Sequence, residues 1–179
     1  SDNMSAAMTN VSAIKSPGIG AGLPGAMAGR AGGTARAAAM RKMGGKEKSE
    51  QAVLRGLRWL VKQQKEDGSW SNEQSSAMTG LAILCFLGHG ETPASPEFGP
   101  TVKKAIDWMI KKGTEYEGRL SLTKGNWGGH SGVYAHGIAA YALAEYYTMT
   151  KDDRVVDVLK QAIKYIVDGQ APDGGWQYS

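Results

Sequence analysis

Between Ser49 and Lys65 the apolar residues Val53, Leu57, Leu60 and Val61 recur at i, i+4, i+7 and i+8 among charged neighbours. That spacing predicts a helix with one buried stripe and one wet side. A second striped helix is expected from Pro100, a residue suited to a first helical turn. A third is expected from about Asp152, where Thr150 and Asp153 have capping-box spacing. Between these lie two segments of another kind. Ser75 to Leu87 and Val133 to Tyr147 are apolar almost all round, with Gly80 matched by Gly137 and Ala82 by Ala139. A helix without a polar face must be surrounded by protein, so the pattern predicts striped helices outside and buried helices inside, with Cys85 among the core residues.

The alternation is an internal repeat. Trp59 precedes Trp70 by 11, as Tyr165 precedes Trp176. Gln64 and Gln170 each stand at the fifth position after the first aromatic of their copy. The middle copy fits with an insertion of 8, since Trp108 precedes Trp127 by 19. The first aromatics are then 49 and 57 apart, and one insertion accounts for both offsets. At the corner of each hairpin, Gln64 has an amide able to satisfy backbone groups at a helix end, while the Trp70 indole packs over the junction. The Asp67-Gly68-Ser69 turn reverses the chain.

Composition divides the chain at residue 45. Residues 1–45 hold 9 of the 25 glycines, 11 alanines and no aromatic residue, and read as a flexible, basic Gly/Ala-rich linker. Only Thr34 to Met43 is expected to form a turn or two of helix. Residues 46–179 are left as the folding unit. The linker carries Lys15, Arg30, Arg36, Arg41 and Lys42 against Asp2, so the net charge of +4 belongs to it and the remainder is neutral. That balance argues against a nucleic-acid partner for the folded part. The single cysteine excludes an intrachain disulfide and a multi-cysteine metal site. The longest apolar run, Ala77 to Leu87, is far short of the roughly 20 residues that span a bilayer. The opening Ser1-Asp2-Asn3-Met4 has no basic-then-hydrophobic pattern, and the natural start is expected to lie upstream.

Arg55-Gly56-Leu57-Arg58-Trp59-Leu60, then Gln64, then Gly68-Ser69-Trp70 resembles the glutamine–tryptophan (QW) motif of the prenyltransferase and squalene-oxidase repeat. The third copy, with Tyr165, Gln170, Gly174 and Trp176, departs at its first basic position; the second has Gly113 in place of glutamine. The pattern looks most like uncharacterised bacterial members of that repeat family. The resemblance implies an all-α fold, an α/α toroid of inner and outer helices. About two and a half hairpins of it lie in 46–179, about five helices where the family has roughly a dozen. An open apolar face is therefore expected, to be covered by the remainder of the toroid or by another subunit. The resemblance also suggests an exported or membrane-tethered protein.

The family's chemistry transfers poorly. The cyclases' Asp-x-Asp-Asp acid motif is missing, and Asp152-Asp153 stands at an expected helix start, where carboxylates complement the dipole. Prenyltransferases hold zinc with Asp, Cys and His, but Cys85 and His89 lack an evident third ligand, so no metal and no cofactor are expected. The Gly125–Gly132 cluster lacks the Gly-Lys-Ser/Thr ending of a phosphate loop. Candidate chemistry falls on the following helix, where Tyr134, Ile138, Tyr141 and Glu145 share a face and His136 lies on another. His136 is a candidate acid or base with Glu145 orienting it; a core histidine bonded to a neighbouring helix is the plainer reading. Tyr134, His136, Tyr141 and His130 are the candidate ligand-pocket residues. The expected function is a ligand- or protein-binding toroid module related to terpene cyclases and prenyltransferases. The alternative is an enzyme for isoprenoid or other hydrophobic substrates, with catalytic residues outside this segment. Polysaccharide chemistry would need paired inner-face carboxylates, which these residues do not provide.

Overall fold

A computed structural model describes residues 23, 25–30, 32–122 and 130–176. The described residues are all-α: α1 Gly33–Lys42, α2 Glu47–Gln63, α3 Ser75–His89, α4 Gly99–Glu115, α5 His130–Thr150 and α6 Val156–Asp168, with 3-10 turns at Gly25–Arg30 and Asp153–Val155. No strand occurs among them.

The two apolar helices α3 and α5 pack closely on each other, and α2, α4 and α6 flank them. The approach depends on small residues: a Cβ at Gly80 would stand 3.2 Å from the Ala139 Cα. Ile83, Phe86 and Leu87 of α3, Val102, Ile106 and Met109 of α4, and Leu143 and Tyr146 of α5 are buried in one continuous core. Apolar burial of this kind is the main favourable term in folding. The flanking helices bury the stripe their periodicity predicts in α6, with Val158, Leu159 and Ala162, and only in part in α2, where Leu57 is buried, Leu60 and Val61 are half-buried and Val53 is exposed.

The corner between α2 and α3 is held by side chain to backbone bonds. The Gln64 amide donates to the Gly68 carbonyl and to the Thr101 carbonyl of α4, both at 3.0 Å. The Trp70 indole donates to the Leu60 carbonyl at 2.9 Å, capping the end of α2. Asp67 accepts from the Ser69 backbone N–H at 3.0 Å and from the Trp108 indole of α4 at 3.2 Å. Gly68 has φ 97°, and a Cβ there would overlap the Lys104 carbonyl oxygen. Only glycine permits both that turn and that approach.

The same corner recurs in the third copy. Gln170 donates to the Gly174 carbonyl at 2.7 Å, the Trp176 indole donates to the Ile166 carbonyl at 2.7 Å, and Asp173 accepts from the Gly175 backbone N–H at 3.0 Å.

The middle copy solves the junction differently. Gly118, at φ 82°, abuts Gln161 as Gly68 abuts Lys104. Just after it, the position that Trp70 holds is taken by the fully buried Leu120. Trp127, which the sequence aligns with Trp70, lies outside the described residues. Gly113 carries no amide, and the Val158 side chain fills the space where its Cβ would stand. His136 then ties the junction: its Nδ1 accepts from the Leu120 backbone N–H at 3.1 Å, and its Nε2 lies 3.0 Å from the Ala162 carbonyl of α6. Thr79 has the equivalent role in the first copy, accepting from the Trp70 backbone N–H at 3.1 Å. The offset from Thr79 to His136 equals that from Trp108 to Tyr165, the spacing of the repeat.

The short helix expected over Thr34 to Met43 forms as α1, Gly33–Lys42, and in the segment read as a linker a 3-10 helix, Gly25–Arg30, precedes it. Leu23 and Met27 pack on the core, and the Arg36 guanidinium donates to both Glu50 oxygens, at 3.0 and 2.6 Å, and to the His89 carbonyl at 3.0 Å. Bidentate charge-assisted bonds of this type are strong enough to order a segment that has little apolar surface. The 3-10 turn that leads into α6 is capped by Asp152, which accepts from the Arg154 backbone N–H, rather than by Thr150, whose hydroxyl donates back to the Tyr146 carbonyl; α6 itself follows Val155 with no side-chain cap.

Trp70→Ala is expected to cost about 3–5 kcal/mol in stability, as large aromatic truncations do, and denaturant titration of the variant measures it. His136→Phe leaves the Leu120 N–H and the Ala162 carbonyl without their partner, at about 1–3 kcal/mol each. Burial holds the His136 ring below its ordinary value of 6.5, with the Ala162 bond opposing. The unfolded chain therefore takes up a proton that the folded chain resists. Wild-type stability should fall as pH drops below the ordinary histidine range, and titrations in neutral and mildly acidic buffer should show that loss vanishing in His136→Phe.

Candidate binding face

α3 and α5 are buried on most sides, yet each leaves one stripe uncovered by the flanking helices. On α3 the stripe carries Met78, Leu81 and Cys85, at i, i+3 and i+7, with Met78 43% and Leu81 44% exposed. On α5 it carries Tyr134 and Tyr141, each 59% exposed, with Ile138 half-buried between them. Large apolar side chains on solvent are ordinary one at a time. Here Met78, Leu81, Cys85, Tyr134 and Tyr141 are exposed on two helices that pack on each other, and apolar side chains gathered in this way mark a candidate binding region.

Glu145 continues the α5 stripe but is only 4% exposed, because Arg30 from the 3-10 turn reaches over and ion-pairs with it. Gly90, at the end of α3, permits this path: a Cβ there would lie 2.8 Å from the Arg30 carbonyl oxygen. The Glu145 carboxylate also hydrogen-bonds the Tyr141 phenol and so pushes that phenol above its usual value. One end of the apolar face is thus closed by a polar cluster from two parts of the chain, the 3-10 turn and α5.

A second cluster lies at the end of α3. The His89 Nε2 is 3.0 Å from Glu50 and its Nδ1 is 2.6 Å from Glu91. Burial opposes ionisation of Glu50, but Arg36 and His89 outweigh it and hold the carboxyl below its ordinary range. All of these groups are engaged with one another, and the arrangement docks α1 and α2 against α3. Among the described residues no set of three His, Cys, Asp or Glu side chains is arranged to hold a metal ion.

The candidate residues therefore separate. Tyr134 and Tyr141 are on the open face, and Glu145 lies under Arg30 at its edge. His136 is on the opposite side of α5, 2% exposed, with both ring nitrogens committed to backbone groups. It does not meet Glu145. His130 begins α5, and its side chain lies outside the described residues, as do residues 125–129 of the glycine cluster. Cys85 is exposed rather than in the core; its partial burial pushes the thiol up from its ordinary value. Met78, Leu81 and Cys85 belong to the face although the all-round apolar pattern of α3 conceals them. Arg30 belongs to it although its glycine-rich surroundings signal nothing.

No helix of the described residues is long and apolar enough to cross a membrane. No curated protein and no solved structure matches the chain. Residues 49–179 match a family model described as a domain of unknown function, DUF6288. That match takes in both complete hairpins and the third corner, and the chain belongs to the DUF6288 family.

Proposed function

We propose that this chain is a binding module, part of an α/α toroid, whose inner helices α3 and α5 present an apolar face to a hydrophobic ligand. The observation that carries this reading is the exposed stripe of Met78, Leu81, Cys85, Tyr134 and Tyr141 on two helices that are otherwise core. The toroid reading is supported by the repeated corner, which has the glutamine, glycine and indole of the QW motif in bonded positions. Two phenols at the rim of an apolar surface suit a ligand with a long hydrocarbon body and a small polar head. Binding has more support than catalysis. His136 holds a helix junction, and the Glu145 carboxylate is neutralised by Arg30. Neither is placed to give a proton to a substrate lying on the face. An isoprenoid-processing role would take its reactive groups from residues beyond these.

Cys85 is the only thiol in the chain and stands within the face, so its reactivity reports occupancy. A fifteen-carbon isoprenoid alcohol should slow alkylation of Cys85 in a saturable way. Leu81→Asp should weaken that protection about 10- to 100-fold, the equivalent of losing one buried leucine worth about 1.5–3 kcal/mol. An alkylation rate indifferent to the alcohol, or equal protection in the variant, would exclude the reading.

A further inference from the structure

Glu145 is a buried carboxylate that the repeat itself does not require. The spacing that relates His136 to Thr79 places Glu145 at the repeat position of Gly88 and Tyr141 at that of Leu84. Gly88 is exposed, and a Cβ there would meet nothing within 4 Å, so α3 has no use for a side chain at this position. His136, also buried in α5, ties two elements of the fold together through both ring nitrogens. Glu145 joins no repeat helices: its partners among the described residues are the Tyr141 phenol one turn before it and the Arg30 guanidinium of the upstream 3-10 helix.

Arg30 holds this carboxylate lightly for a guanidinium. Only its Nη1 reaches Glu145, whereas Arg36 commits three nitrogens to Glu50 and the His89 carbonyl. The Arg30 side chain is 28% exposed against 3% for that of Glu145. The guanidinium can therefore turn into water with its backbone still at Gly90, while the carboxylate stays inside. A charge left within protein without a counterion is strongly disfavoured, so Arg30 departs only when another cation takes its place. The surroundings set what that cation carries. Tyr141 and the half-buried Ile138 precede Glu145 on one stripe of α5, and Leu81 and Cys85 are exposed on the helix packed against it. A hydrocarbon chain laid along that stripe brings its head to Glu145.

We propose that Glu145 receives the positively charged head of an alkylammonium amphiphile whose hydrocarbon chain lies on the apolar face, and that Arg30 is the intramolecular stand-in which this head displaces. The inference rests on the binding face proposed above and adds the charge of its ligand. An ammonium head exchanges one cation for another around a buried carboxylate and leaves the local charge balanced. A neutral head has no such exchange to make and leaves Arg30 in place. An anionic head meets a guanidinium already matched by Glu145 and adds a second negative charge beside it.

Protection of Cys85 from iodoacetamide in the full chain tests this, with decylammonium, decanol and decanoate as probes, each below its micelle concentration and with far-ultraviolet dichroism unchanged. Decylammonium should reach half-protection at about 10-fold lower concentration than either of the others. The net charge of +4 opposes that order, since non-specific attraction would favour decanoate. Glu145→Gln, which keeps the shape of the side chain, should abolish the preference, and Arg30→Gln should strengthen decylammonium binding about 10-fold by removing its competitor. Should a variant fail to fold, the ranking of the three probes on wild type decides by itself. Decanol or decanoate matching decylammonium, or a preference that survives Glu145→Gln, overturns the assignment of charge and leaves the binding face standing. Protection by none of the three removes the face together with it.

Discussion

Backbone passing over backbone at a left-handed glycine is the constraint on which this fold rests. At Gly68 the next helix comes so close that a single methyl group would overlap the Lys104 carbonyl, and at Gly118 it would overlap Gln161. Such contact fixes where one hairpin sits relative to the next. The side chains around it then have one task, to satisfy the polar groups that the turn and the helix ends expose. In the first copy a carboxamide, an indole and a threonine hydroxyl share it. In the second a histidine takes over the threonine's part, and a valine occupies the amide's place. The geometry persists while the chemistry that maintains it changes.

That distinction decides what the amino-acid pattern reveals. The helices are legible because burying a stripe or a whole cylinder leaves a periodic trace, and the corner is legible twice because Gln64 and Gln170 come with an indole at a fixed distance. The middle corner is less legible. The residue buried just after its glycine is Leu120, which no spacing of glutamine and indole announces. His136 draws attention as a polar group in an apolar helix, but only the three-dimensional junction shows that it matches Thr79, a pairing with no chemical similarity beyond an acceptor atom. Apolar periodicity likewise cannot separate a helix buried on all sides from one that exposes a stripe of Met78, Leu81 and Cys85, because both are written in the same residues.

The apolar face and the polar clusters are linked. Arg30 neutralises Glu145 at the end of the face, and Arg36 ties Glu50 and the end of α3 together, so two of the three arginines in residues 1–45 serve carboxylates of the helical body. A charge taken out of water needs such a partner. The face stays apolar along its length because its one carboxylate is answered from outside the repeats.

The family match begins at residue 49, whereas these two guanidinium groups stand at 30 and 36. A polypeptide trimmed to the match would retain every hairpin helix nearly whole and still leave the buried Glu145 carboxylate without its guanidinium and Glu50 with His89 alone. The smallest self-sufficient unit of this family member is therefore longer than its recognisable portion, and its boundary is set by electrostatics instead of by similarity.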